Sequence, residues 1–331
     1  MVLVWSNTAP AAGQGNEPPV AVGVMLGAMA DLVNEFSWSR SRDGLFQECR
    51  RKYFYHYYGA WGGWEADAPK ETRTLYVLKQ LSSRQQWAGK VVHEGIEWVL
   101  RALYEGRDLP EAWLVDETIR RMRREWKASN ERQYWSNPKG GGLFEHEHRI
   151  PVKPEDWQVL RDHVVRCLRN FYRLPLLADI RKTPRERWVM IEEIRAYHFD
   201  GTPVYSAPDF AYWTEGNRLA LVDWKTGAPN PDSGALQLGC YALYAGEVLR
   251  VDPERVELLT VNLREGAVHS HPWDAGRLEE IRGHLQLSIR AMKAYLEDPA
   301  ANQALEDNFE KAEDLRICRW CNFRSVCRPD L

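Results

Sequence analysis

The stretch LALVDWKTG (219–227) reads as an apolar strand that ends in a carboxylate and an ammonium and then turns on a glycine. Side chains alternate along a strand, so Asp223 and Lys225 point to the same face. A carboxylate and an ammonium held together where an apolar strand emerges suit a hard divalent cation beside a group that positions water. The preceding segment YSAPDF (205–210) supplies Asp209 directly after Pro208, and pairing through TEGN (214–217) brings this second carboxylate to the same end. Working outward, 188–199, 204–213 and 218–224 are rich in Val, Ile, Tyr and Trp and are joined by DGTP and EGN, which predicts a three-stranded antiparallel meander. A helix is expected over 235–249, strands over 256–263 and 267–273, and a long helix over 275–296.

Upstream, the period of apolar residues predicts helices over 43–58, with Asp43 as its cap, and over 85–103, with Val92, Ile96, Val99 and Leu103 as its stripe. Two more are expected over 111–131 and 155–178, separated by the breaker NPKGGG. The order of helices, strands, helix, strands and helix predicts a mixed α/β core with a helical insertion. The Ala-, Gly- and Pro-rich residues 1–38 read as a loose leader, leaving 39–331 as the folded domain: a helical part over about 80–180, a sheet core over about 186–297 and a Cys-rich segment over 314–331.

With 331 residues the chain can bury a sizeable core. Its formal charge of −3 gives no global attraction for a polyanion or an anionic membrane, so any nucleic-acid contact must be a local groove. Six cysteines are too few for a disulfide scaffold, the N-terminus lacks a basic segment ahead of an apolar core, and the longest apolar stretch, 20–30, is shorter than a membrane span. The expectation is a soluble, cytoplasmic protein in a reducing compartment.

Taken singly, each site residue has an ordinary reading. Asp-x-Lys is a surface ion pair, Asp209 a turn former, His93 a hydrogen-bonded core histidine, and Gln237 with Tyr241 a plain helix pair. In order, however, His93, Pro208-Asp209, Asp223-Trp224-Lys225-Thr226-Gly227 and Gln237-Leu238-Gly239-Cys240-Tyr241 resemble the RecB-type branch of the PD-(D/E)XK nucleases, from about Ser41 to the C-terminus. The resemblance implies a restriction-endonuclease-like core in which His93, Asp209, Asp223 and the Trp224 carbonyl hold one or two Mg²⁺ or Mn²⁺. It further implies that Lys225 positions the attacking water and that Gln237 and Tyr241 orient the site.

Cys318-x2-Cys321-x5-Cys327 places three thiolates at metal-ligand spacing, with zinc as the default for an unfamiliar four-cysteine set. Together with Cys49 in SRDGLFQECRRKYFYHY (41–57), the pattern resembles the iron–sulfur subset of RecB-like nucleases, which includes AddB-type helicase–nuclease subunits and CRISPR-associated adaptation nucleases. That resemblance implies a [4Fe–4S] cluster joining the C-terminal segment to the N-terminal helix, although Arg50 stands where the family often has Pro. Cys167 and Cys240 read as small buried hydrophobes, Cys240 facing away from Tyr241.

Arg50, Arg51 and Lys52 beside Cys49, with Arg316, Arg319, Arg324 and Arg328 around the last three cysteines, form a candidate basic rim. Tyr53, Tyr55, Tyr57, Trp61 and Trp320 could stack on bases there, and the same aromatics at helical spacing read also as core. The resemblance implies a metal-dependent DNase acting on single-stranded ends, in repair, recombination or CRISPR adaptation. No Walker motif is present, so a helicase would be a partner. Two other readings stand beside it: a silent DNA-end-binding scaffold subunit, and a zinc-bound interaction module.

Overall fold

The computed structural model describes residues 32–228 and 234–331, so positions 1–31 of the expected leader and 229–233 of the loop after Lys225 lie outside the described residues. In chain order the protein runs β1 (Trp38–Ser39), α1 (Arg40–Glu48), α2 (Arg50–Phe54), α3 (Lys70–Leu78), β2 (Leu81–Ser82), α4 (Arg84–Tyr104), α5 (Glu111–Asn130) and β3 (Gly142–Leu143). It continues through α6 (Phe144–Glu147), α7 (Pro154–Arg173), α8 (Pro175–Lys182), β4 (Trp188–Ile191), β5 (Arg195–Phe199), β6 (Thr202–Ser206), β7 (Phe210–Trp213) and β8 (Leu219–Lys225). It ends with α9 (Ala235–Glu247), β9 (Val256–Asn262), β10 (Ala267–His271), α10 (Ala275–Lys293), α11 (Leu315–Arg319) and α12 (Arg324–Cys327).

The mixed α/β expectation is met, but the meander is not. A five-stranded sheet has the order β10-β9-β8-β7-β4, with β8 and β9 parallel and the other pairs antiparallel, while β1-β6-β5 form a separate sheet. The predicted strand 188–199 breaks after Ile191, where Glu192 takes a left-handed φ of 47°, and the predicted strand 204–213 breaks at Ala207-Pro208-Asp209. Proline has no N–H to give a ladder, so β7 starts only after it. Each half pairs in a different sheet: β4 with β7 and β5 with β6. The β5–β6 hairpin turns on Asp200 and Gly201, both at positive φ.

Three other expectations need correction. The helix predicted over 43–58 is three pieces, because Cys49 is extended (φ −164°) and Tyr55–Gly59 is π-helical. Ser39 caps α1 by accepting from the Arg42 N–H, whereas Asp43 is buried and accepts from Ser288 Oγ at 2.8 Å. The helix over 155–178 breaks at Leu174, held extended by Pro175. The folded region also begins before residue 39: Phe36 and Trp38 are buried, β1 pairs in parallel with β6, and Trp38 Nε1 donates to Ser288 Oγ at 2.9 Å.

The five-stranded sheet separates two cores. Leu219, Leu221 and Leu258 face α9 and α10, while Ala220, Val222, Leu259 and Val261 face α4 and α7. α10 closes tightly on α9 at Gly239, where a Cβ would come within 2.5 Å of Ile281, so only glycine keeps that approach. Trp38→Ala is expected to lower unfolding free energy by about 3–5 kcal/mol, the usual cost of truncating a fully buried aromatic, read as a lower denaturant midpoint.

Candidate active site

Strand register brings the carboxylates together. Ile191 lies opposite Phe210 and Phe210 opposite Val222, so the next residue at that end of three adjacent strands is Glu192, Asp209 and Asp223. Asp209 binds them to one another: its carbonyl accepts from the Glu192 N–H at 2.8 Å, its N–H donates to the Val222 carbonyl at 3.1 Å, and its Oδ2 accepts from the Trp224 N–H at 2.6 Å. In a strand a residue's N–H and C=O point to the same side, which turns the Trp224 carbonyl toward Asp209 as well.

From the α9 face a closed ring of hydrogen bonds holds the sequence-predicted set. Lys225 Nζ is 2.7 Å from Asp223 Oδ2 and donates to Gln237 Oε1 at 2.9 Å. Gln237 Nε2 donates to the Tyr241 hydroxyl at 2.6 Å, and that hydroxyl donates to Asp223 Oδ1 at 3.2 Å. Every polar atom in the ring then has a defined role, including the orientation of the glutamine amide. Burial, reinforced by the Asp209 charge, pushes the Asp223 carboxyl upward, and the Lys225 ammonium offsets part of that rise.

From the other face α4 brings His93, with Nδ1 at 3.5 Å from Asp209 Oδ2 and 3.7 Å from Glu192 Oε1. Burial alone would lower its pKa, yet the nearby carboxylates of Asp209 and Glu192 outweigh it and raise the imidazolium to about 10. Glu192 is pushed upward by burial and by Asp209. The tightest donor set among the described residues is therefore His93, Glu192 and Asp209, each offering an atom within 4.8 Å of the others. Asp223 sits beside that set on Lys225 and Tyr241, not within it. Sequence reasoning missed Glu192, although the same signal that marks Asp223, a carboxylate directly after an apolar strand, is present in WVMIE (188–192).

This donor set fits a hard divalent cation. It consists of carboxylate oxygens and one imidazole, and Glu192 Oε1 is buried with no hydrogen-bond partner, a cost that a cation would remove.

The four expected cluster cysteines also converge. Cys49, Cys318, Cys321 and Cys327 line one small cavity together with Lys52, Tyr55, Ile317 and Phe323, although Cys49 lies far from the others in sequence. Burial pushes the Cys321 thiol up to about 11, with Cys49 and Cys327 adding to the rise. Among the described residues no three of these sulfurs lie within 4.8 Å of one another. Cys167 and Cys240 are buried, their thiols raised by burial to about 11 and about 12, and Cys240 faces Tyr197.

Most of the candidate basic rim is engaged within the fold. Arg50 lies over Phe46 with its carbon 3.7 Å from the ring centroid, Arg51 binds Glu306 and the Phe309 carbonyl, and Lys52 binds Glu48. Arg324 donates to the Arg319 and His148 carbonyls, while the Arg319 side chain is exposed. Tyr53 and Tyr55 are core residues, and Trp320 is exposed.

Cation binding must displace the His93 proton and leave Glu192 and Asp223 ionised. Affinity for Mn²⁺ is therefore expected to rise as pH rises toward about 10, with net proton release at neutral pH, read by calorimetry in buffers of different ionisation enthalpy. Glu192→Gln should weaken Mn²⁺ binding at least about tenfold in the same titration.

No curated protein sequence matches the chain. The family model described as the PD-(D/E)XK nuclease superfamily matches residues 37–328, which span both cores, all the carboxylates and all four converging cysteines. A superfamily of nucleases that use divalent metals accords with a cation-fitting carboxylate row backed by a lysine at the end of a mixed sheet, and with a match over most of its length the chain belongs to the PD-(D/E)XK nuclease superfamily.

Proposed function

We propose that this protein is a Mg²⁺- or Mn²⁺-dependent deoxyribonuclease of the RecB-like, iron–sulfur-stapled type, acting on DNA with a single-stranded end. The observation that carries the reading is the convergence of Glu192, Asp209, Asp223 and Lys225 at one end of three adjacent strands, between His93 on one face and Gln237 with Tyr241 on the other. His93, Glu192, Asp209, Asp223 and the Trp224 carbonyl would hold the cation, which when bound makes a water acidic and polarises the phosphate.

The chain's own groups do the remainder. An ammonium has three donors, of which Asp223 and Gln237 take two, and the third positions the attacking water and offsets charge building on the phosphate. Tyr241 orients Asp223 through its hydroxyl. Gln237 ties Lys225 to Tyr241, so the base of the site cannot rotate.

The cavity lined by Cys49, Cys318, Cys321 and Cys327 supports a [4Fe–4S] cluster. A single tetrahedral zinc on the same four thiolates is the alternative occupant. Six cysteines without a disulfide suit a cytoplasmic setting, and no helix among the described residues is long and apolar enough to cross a membrane. Single-strand preference, exonuclease action, a helicase or CRISPR-adaptation partner and a place in repair, recombination or adaptation rest on the family resemblance.

Lys225→Ala should lower Mn²⁺-dependent cleavage of end-labelled single-stranded DNA by about 10²–10³ while DNA binding persists. Full activity in that variant or in Asp223→Ala would reject the assignment, and wild-type protein that binds DNA without cutting it would indicate a silent scaffold. Protein purified without oxygen should carry iron, acid-labile sulfide and a visible charge-transfer band, lost in Cys321→Ser; colourless zinc protein would remove the cluster.

A further inference from the structure

We propose that the arginine face of α7, with Arg264 on the turn between β9 and β10, is the track that holds the phosphates of a single nucleic-acid strand on its way to the carboxylate site. The proposal rests on the nuclease reading above and names the substrate path that reading lacks.

An open groove of about 260 Å³ is lined by Asp162, Val165, Arg166, Arg169, Asn170 and Arg173. Positions 166, 169, 170 and 173 share one face of α7, and at 1.5 Å per residue Arg166 and Arg173 stand about 10 Å apart along the axis. A second basic group is docked against this face. Asn170 Nδ2 donates to the Leu263 carbonyl at 2.8 Å and the Arg264 carbonyl at 3.2 Å, which seats the β9–β10 turn on the helix. Gly266 (φ 72°) lets that turn close beside Asn170.

The groove leads to the site. The Arg166 and Arg264 charges both act on His163 and on Cys167, and Arg166 reaches His163 Nδ1 at 3.4 Å. His163 lies against the backbone of Thr226, the residue after Lys225. Thr226 Oγ1 also packs against Gly89 of α4, one helical turn before His93.

The charge is largely uncompensated. Of the carboxylates nearby, Asp162 is taken by Arg161 at 2.7 Å and Glu111 lies 3.5 Å from Arg169. Arg166, Arg173 and Arg264 are exposed and form no salt bridge with a carboxylate among the described residues, and Arg166 donates to His163 Nδ1 at 3.4 Å. Glu265, beside Arg264, is the one further exposed acid on that turn. Like-charged guanidinium groups gathered in one groove repel one another, and a planar fork of donors matches a phosphate, so a polyanion is the ligand that relieves the arrangement. Phosphates approaching a row of carboxylates also need a positive lead-in, which this face supplies.

The test is anisotropy of fluorescein-labelled oligothymidylate with EDTA present, titrated across salt for wild type and for the triple variant Arg166→Gln, Arg173→Gln, Arg264→Gln. The expected result is an affinity loss of at least about tenfold at low salt and a salt slope reduced by about 2, near 0.7 for each phosphate that is no longer neutralised. In cleavage assays the loss should fall mainly on KM. If the triple variant does not fold, Arg173→Gln alone should reduce the slope by about 0.7. Wild type that cuts DNA together with a folded variant of unchanged slope and affinity overturns the track and leaves the nuclease reading standing. Wild type that neither binds nor cuts DNA removes both.

Discussion

Three hydrogen bonds around Asp209 set the rest of the site. Its peptide N–H and C=O join the ends of β8 and β4, and its carboxylate takes the N–H of Trp224. Because Pro208 keeps β7 from starting any earlier, no regular strand fills the space between β4 and β8 before Phe210. The end of the sheet is therefore open at one strand, with a carboxylate on each of three adjacent chains facing the opening. The opening follows from a backbone fact: a strand that begins two residues after a proline.

Gathering acids at the end of a hydrophobic sheet is costly, since removing a charge from water costs several kcal/mol before any pairing. The structure offsets that cost from two sides. On the α9 side the ring of Lys225, Gln237, Tyr241 and Asp223 gives a buried carboxylate both a counter-charge and a hydroxyl donor. On the α4 side the His93 imidazolium lies against Asp209 and Glu192. Glu192 Oε1 stays without a hydrogen-bond partner, so the row of acids is less fully satisfied on this side than on the α9 side. The two faces come from opposite cores, so the site's geometry depends on both layers holding to the same sheet.

How much of this was legible in the sequence divides along physical lines. Asp223, Lys225, Gln237 and Tyr241 were readable because period and chemistry coincide: alternation on a strand and i, i+4 on a helix each put two reactive groups on one face. The helices α4, α5 and α9 were readable for the same reason, within a few residues at their ends. Illegible were the events that depend on partners far along the chain. A left-handed Glu192 and a Pro208 break send halves of apparently continuous strands into two sheets, and local β propensity carries no record of that. Asp43 looked like a helix cap because nothing nearby shows that Ser288 would bury it. Trp38 looked like leader because its partner strand, β6, lies at the middle of the chain.

Net charge was the least informative number and becomes useful once it is placed in space. A total of −3 conceals carboxylates gathered at one end of the five-stranded sheet and arginines spread over several surfaces. Those near the cysteines are mostly spent on internal work: Arg51 on Glu306, Arg324 on backbone carbonyls, Arg50 on the Phe46 ring. Such groups stiffen the segment that the thiols bring together, and a guanidinium already in a fixed fork of partners has little left for a phosphate. On α7, Arg166 and Arg173 are exposed and hold no carboxylate among the described residues. Two basic regions that look alike in sequence thus differ in what their donors are free to do, and the difference is visible only when each donor is followed to its acceptor.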